Sequence, residues 1–164
     1  MARIIKQGVK QLAGKNIKII ARNKRANHDY FILDTLECGI VLHGTEIKSI
    51  RKSKVSIQES YCQIKNNDFY IYDMHIAKYD QGNIFNHEEK RDRLLLAHKS
   101  EIRKLLQKVK LEGATIVPLT VYLNEGLCKV EVALCKGKKN YDKREDMKRE
   151  ETKKEVSRMM KNRW

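Results

Sequence analysis

The last 29 residues limit the fold more than any other stretch. Residues 136–164 hold twelve Lys and Arg against six Asp and Glu. Beyond Tyr141 their apolar side chains are Met147, Val156, Met159, Met160 and Trp164. So little apolar surface cannot offset the entropy of ordering the chain. A compact fold must therefore come from the residues before 136, and the segment is expected to be a basic tail, disordered when alone. Glu145 and Arg149, and Glu150 and Lys154, nevertheless stand at i,i+4 with the acid first, the order that supports a helix. A basic segment with latent helicity suits a polyanionic partner, and nucleic acid is the obvious one.

The rest of the chain is basic too. It carries 23 Lys and Arg against 15 Asp and Glu, which is +8 of the total +14. Charge of that size exceeds the roughly 2–8 units that solubility asks for. It favours RNA or DNA over an acidic small molecule. The bland alternatives are a solubilising surface or a membrane-surface binder. No apolar run approaches the ~20 residues of a membrane span, and the N-terminus lacks the apolar stretch of a secretory signal. Cys38, Cys62, Cys128 and Cys135 form no C-x-x-C pair, which argues against a zinc ribbon and a disulfide framework. Free, mostly buried thiols in a reducing cytoplasm are expected.

Along the chain, residues 1–15 read as a flexible basic arm, 16–135 as one β-rich domain and 136–164 as the tail. His28–Leu33 and Leu36–Leu42 read as strands, with a bulge or bend at Cys38-Gly39. Gly44-Thr45-Glu46 opens a short helix with Ile47 and Ile50 on one face. Tyr61–Lys65 and Phe69–Ile76 flank Asn66-Asn67-Asp68 as a hairpin. Lys78–Glu89 is a polar loop. Ile102, Leu105, Leu106 and Val109 mark a second helix that Gly113 stops. Thr115–Leu123 and Leu127–Cys135 form a last hairpin, with Pro118 at an edge or a bulge. About six strands and two or three helices predict a mainly β fold, a small antiparallel barrel or sandwich with flanking helices.

Catalysis finds little support. His28, His43, His75, His87 and His98 show no metal-ligand spacing, and there is no Walker motif or nucleophile elbow. His87-Glu88-Glu89 reads as a solvated turn rather than a metal site. A nuclease would want clustered carboxylates around Mg²⁺, and the acids here are scattered among lysines. No catalytic residue, metal or cofactor is therefore expected. Basic clusters are more informative: Arg22 to Arg25, Lys90-Arg91-Asp92-Arg93, and Lys48, Arg51, Lys52 and Lys54. Folded elements separate them in sequence, so one basic surface assembled from several elements is plausible, with Arg91 among its RNA-binding residues. Tyr30, Tyr70, Tyr72 and Tyr79 are candidates for base stacking, with core packing as the bland reading.

Four segments resemble a known family. Asn23 to Ile32 reads like the opening of the SsrA-binding protein, or small protein B, family. Gly44 to Arg51 is similar to its G-x-E-[VI]-K-S-[LI]-R segment. Lys90 to Leu96 and Lys136 to Arg144 match in order and spacing. The resemblance covers about residues 16–164. It implies an oligonucleotide-binding-type β-barrel with no enzymatic activity. The implied partners are the tRNA-like domain of transfer-messenger RNA and the stalled ribosome, where the tail lies as a helix in the empty mRNA channel; the free protein would be monomeric. A generic RNA-binding or ribosome-associated barrel is the alternative.

By the same resemblance, Glu37, Leu96 and Lys129 match positions tied to RNA binding, and Asn23, Lys24, Arg25 and His28 share their face. Gly137, Lys138 and Lys139 match the junction between barrel and tail. Tyr141, Asp142, Lys143 and Arg144 match the start of the ribosome-facing tail, and Met159, Met160 and Lys161 its distal apolar spot. Glu89 stands where Pro is frequent, and Thr152 where some members carry an aromatic. RNA binding by the basic body should release counterions. Its affinity is expected to fall several-fold or more between ~50 and ~200 mM salt, read by gel shift at both concentrations. Salt-insensitive binding would count against a phosphate-reading surface.

Overall fold

Residues 16–161 are described by the structure, a computed structural model. The expected arm at 1–15 lies outside the described residues. In chain order the elements are β1 (Ile17–Arg22), α1 (Ala26–Asp29), β2 (Tyr30–Ile40), α2 (Gly44–Arg51), β3 (Val55–Ser56), β4 (Tyr61–Lys65), β5 (Asp68–Tyr72), β6 (His75–Ile76), a 3-10 turn at Asn83–Phe85, β7 (Arg93–Leu96), α3 (Lys99–Glu112), β8 (Thr115–Asn124), β9 (Leu127–Gly137) and α4 (Asn140–Lys161).

The strands pair antiparallel, and their order returns on itself. It runs β8–β4–β5–β7–β2–β9 and closes because β9 also pairs β8, while β1 pairs Thr120–Asn124 of β8, further along that strand than the joint with β4 at Ile116. Two joints of the ring are thin. β4 meets β8 only at Cys62 and Ile116, and β2 meets β7 at Gly39–Leu96 and Ile40–Leu95. Two-residue turns set the hairpins. Asn66 and Asn67 have φ of +50° and +67°, and Glu125 and Gly126 have +50° and +83°, the left-handed pair that matches strand twist. Ile50 of α2, Ile102 and Leu105 of α3, and Phe69, Ile71, Leu95, Val130 and Val132 of the strands form one core. All four cysteines are free thiols, and burial pushes Cys38 and Cys128 up to about 12.

Several expectations shift. The two early strands are one, β2, and its first turn is given up to α1, which buries Ala26. The bulge lies at Leu33, where the register with β9 slips between Ile32 and Asp34, not at Cys38-Gly39. Gly39 serves a close approach instead, since a Cβ there would lie 3.3 Å from Leu96 Cβ. Phe69–Ile76 breaks at Asp73, whose φ is +56°, into β5 and β6. Pro118 sits in an interior strand, and the register slip between Pro118 and Thr120 absorbs its missing N–H. The tail, expected to be disordered when alone, is here the helix α4, with no buried residue.

The largest correction concerns Lys90 to Arg93. Arg93 is fully buried, and so is Glu46. Glu46 Oε1 accepts from Arg93 Nε at 2.8 Å and from Arg91 Nε at 2.8 Å. Its Oε2 accepts from Arg91 Nη2 at 2.6 Å and from the His43 N–H at 2.7 Å, so it also caps α2. Arg93 donates further to the carbonyls of Met74, Arg91 and Glu89. Arg91 and Arg93 therefore brace the interior, while Lys90 and Asp92 stay on the surface. His87 is likewise buried, neither a solvated turn nor a ligand: its Nε2 donates to the Ile76 carbonyl at 2.9 Å.

Burial pushes the Glu46 carboxyl up, but the Arg91 hydrogen bond, the His43 N–H and the Arg93 charge win and hold it at about 2. Burial likewise pulls Arg93 down against the attraction of Glu46, yet an arginine stays cationic. A folded value below the ordinary 4.5 means stability present above that pH and lost as pH falls through about 2. Glu46→Gln leaves two guanidinium groups short of their anion and is expected to lose about 3–5 kcal/mol at pH 7. In urea melts, that gap to the wild type should narrow between pH 4.5 and 2. A gap that does not change with pH would show that the carboxylate charge is not its source.

Candidate nucleic-acid interface

Strand register brings side chains from distant segments into two adjacent rows on the outer face. One row runs Leu96, Gly39, Lys129, Tyr122 and Ile19 across β7, β2, β9, β8 and β1. The next runs Glu37, Glu131, Thr120 and Arg22 across β2, β9, β8 and β1. Glu37, Leu96 and Lys129, far apart in sequence, thus meet. Leu96 is 53 % exposed although it belongs to a short strand of a packed barrel.

Glu37 ties the rows together. Lys129 Nζ donates to its Oε1 at 2.7 Å, and the Tyr122 hydroxyl donates to its Oε2. The Lys129 hydrogen bond first, and then Tyr122, hold the Glu37 carboxyl below its ordinary value. Tyr122 is pushed up by burial and by Glu37. Burial raises Glu131 against the Thr120 hydrogen bond. An acid on this basic surface therefore has a use: it orients a lysine ammonium and leaves that cation on the surface. Sequence reasoning misses Tyr122 and Thr120, and it has Arg22 only as a member of a basic cluster. The signal was there for Tyr122, because a buried phenol must find a hydrogen-bond acceptor.

A second group forms where β1 ends and β9 leaves the barrel. Asn23 is buried and structural: its Nδ2 donates to the Pro118 carbonyl at 3.2 Å, and its Oδ1 accepts from the Arg25 N–H at 3.2 Å. That turn places Lys24 and Arg25 in solvent next to Arg22. His28 is exposed, with Nδ1 2.9 Å from Asp29 Oδ1. Lys138 Nζ donates to the Asn27 carbonyl at 2.8 Å and to Asp146 at 2.5 Å, and lies 5.0 Å from the Phe31 ring centre. Lys143 reaches Asp29 at 3.3 Å. Asp142 accepts from the Lys139 N–H at 3.2 Å and so caps α4. Asn23, Lys24, Arg25, His28, Gly137, Lys138, Lys139, Asp142 and Lys143 therefore share one corner.

Other expected residues stand apart. Arg91 is held by Glu46 and the Val41 carbonyl, neither of which belongs to this corner. Tyr141 and Arg144 are exposed on the first turns of α4. Met159, Met160 and Lys161 are exposed at its other end, about 30 Å away along a helix rising ~1.5 Å per residue. Tyr30 packs on the small cluster of Ala26, Val117 and Cys135. Among the described residues no three His, Cys, Asp or Glu side chains converge as metal ligands, and no helix is long and apolar enough to cross a membrane.

Comparisons with known proteins agree with this geometry. A family model described as SmpB protein matches residues 20–162. The SsrA-binding protein of Enterococcus faecalis is 51 % identical over 145 residues, covering 88 % of this chain and 94 % of the relative. That of Halothermothrix orenii is 51 % identical over 148 residues, covering 90 % and 96 %. A solved chain described as "tmRNA-SmpB: a journey to the center of the bacterial ribosome" is 45 % identical, covers 74 % of this chain and 85 % of its own, and superposes with a TM-score of 0.62.

If Tyr122 helps to hold Glu37 ionised, Tyr122→Phe should raise the pH at which Glu37 titrates, toward 4.5. Carboxyl carbon shifts followed by NMR across pH 2–7 read this directly. An unmoved midpoint would leave Lys129 as the sole source of the shift.

Proposed function

The chain belongs to the SmpB protein family, and on that premise we propose that it binds the tRNA-like domain of transfer-messenger RNA and delivers it to stalled ribosomes for trans-translation. The body does the RNA binding. The row of Leu96, Lys129 and Glu37 and the corner of Lys24, Arg25, His28 and Lys138 combine fixed cations with an exposed apolar contact. Phosphate contacts position such a surface on RNA, and apolar and oriented polar groups read its shape. The tail from Tyr141 to Lys161 faces the ribosome and lies in the empty mRNA channel. Lys143 and Arg144 meet ribosomal RNA phosphates, and Met159 and Met160 supply an adaptable apolar contact at the far end. The protein works by binding, not by catalysis, in the cytoplasm.

The observation that carries this reading is the joint at Lys138. One ammonium holds both the Asn27 carbonyl of the body and Asp146 of α4. The RNA-facing corner thus sets the direction in which the tail leaves. Two variants in one reconstituted translation assay test the division of labour. Glu37→Gln should weaken binding of the tRNA-like RNA while the melting temperature stays nearly unchanged. Truncation after Asn140 should keep that affinity and abolish peptide tagging on stalled ribosomes. Tagging by the truncated protein would reduce the tail to electrostatic ballast and sink the mechanism.

A further inference from the structure

The loop between β6 and β7 is built, not loose. The Asn86 side chain acts as a strand would: its Oδ1 accepts from the Tyr79 N–H at 3.0 Å and its Nδ2 donates to the Tyr79 carbonyl at 2.8 Å. Gly82 fits inside this neck because a Cβ there would come within 2.9 Å of Asn86 Cγ. At the base, buried His87 is held by the Ile76 carbonyl and by the Thr45 hydroxyl, each at 2.9 Å. What the clamped loop presents is apolar. Ile84 is 89 % exposed and Phe85 is 82 % exposed. Neither side chain contributes to a core, so the fold gains nothing from holding them in water.

The surroundings are cationic. Lys78 and Lys90 are exposed on the two arms of the loop. Lys48 and Lys52 of α2 stand 5.4 and 4.7 Å from the centre of the Tyr79 ring. Of the nearby acids, Asp80 is bound by Lys54 at 3.0 Å and Glu89 lies 3.8 Å from His75, which leaves Glu88 on the rim.

We propose that the Ile84–Phe85 tip is a second RNA contact, with Phe85 stacked on an unpaired base and Lys78 and Lys90 on the adjoining phosphates. This rests on the RNA-binding reading above but uses none of its residues. The charge decides the occupant: an exposed aromatic ring on a loop whose two arms each carry an exposed lysine matches a base flanked by phosphates, whereas an apolar protein surface would have to desolvate those cations.

The test uses the full chain and two probes, a labelled oligoadenylate of about eight nucleotides and the tRNA-like RNA fragment. Phe85→Ala should weaken oligoadenylate binding about tenfold, as expected for losing one base–aromatic stack, and leave the tRNA-like fragment's affinity unchanged. Phe85→Trp should restore the affinity, and the emission it adds to that of Trp164, read as the difference from the wild type, should be quenched as oligoadenylate binds. Wild-type protein that ignores oligoadenylate, Phe85→Ala that binds it normally, or unquenched Phe85→Trp emission would each overturn the proposal and leave the tip to a protein partner. Loss of both probes in Phe85→Ala would merge the tip with the first interface and overturn it as a separate contact. Glu37→Gln that spares the tRNA-like fragment would overturn the earlier reading and not this one.

Discussion

A single buried carboxylate organises this molecule. Glu46 caps the first turn of α2 through the His43 N–H and accepts from both Arg91 and Arg93. Arg93 then passes the connection to the carbonyls of Met74 and Glu89. One anion so fixes the start of β7, the N-terminus of α2 and both ends of the loop that carries Phe85. β7 is only four residues long, with three pairs to β5 and two to β2, so the side chain of Arg93 adds a further anchor at its start. The Leu96 side chain is displayed at the end of that strand. Its position on the outer row therefore depends on ion pairs buried three residues earlier. Buried pairs of this kind stabilise little against an apolar replacement, but losing one partner is severe, which makes them register devices rather than glue.

The same logic, at lower energy, runs over the surface. Glu37 holds Lys129, Asp29 holds Lys143, Asp146 holds Lys138 and Asp34 holds Lys108. Exposed pairs contribute at most about 1 kcal/mol each, so they do not explain the fold. What they do is restrict long side chains that otherwise lose up to about 2 kcal/mol of rotamer freedom when they dock. A basic protein that must recognise one RNA shape, rather than any polyanion, gains from cations already in place. The acids scattered among the lysines are the means of placing them.

Much of this was legible from residues whose local chemistry is unambiguous. The α3 stripe of Ile102, Leu105, Leu106 and Val109 and the Asn66-Asn67 turn each announce their structure, because periodicity and left-handed turn residues act locally. What escaped was set by distant partners. Lys90-Arg91-Asp92-Arg93 looks like a surface cluster until Glu46, over forty positions away, draws two of its guanidinium groups inward. His87 looks like a turn residue until Thr45 and Ile76 enclose it. Tyr122 looks like core until Glu37 gives its hydroxyl an outward role. The meeting of Glu37, Leu96 and Lys129 depends on register across three strands, and the resemblance to a family, not their spacing, singled them out.

The helical tail follows from the same division between local and distant forces. α4 buries no residue, so packing does not explain it. Starting a helix is the unfavourable step, because the first turn fixes several residues for one hydrogen bond. Here the body supplies that turn. β9 delivers Lys138 against α1, Asp142 caps the Lys139 N–H, and Lys143 and Asp146 are each held by a fixed partner at the junction. With the nucleus in place, the acid-first pairs of Glu145 with Arg149 and Glu150 with Lys154 need only propagate it. Order therefore enters the tail at its root and weakens toward Met159 and Met160. On the proposed function, a polyanionic channel has then to stabilise the far turns alone, starting from a direction that the corner at Lys138 sets.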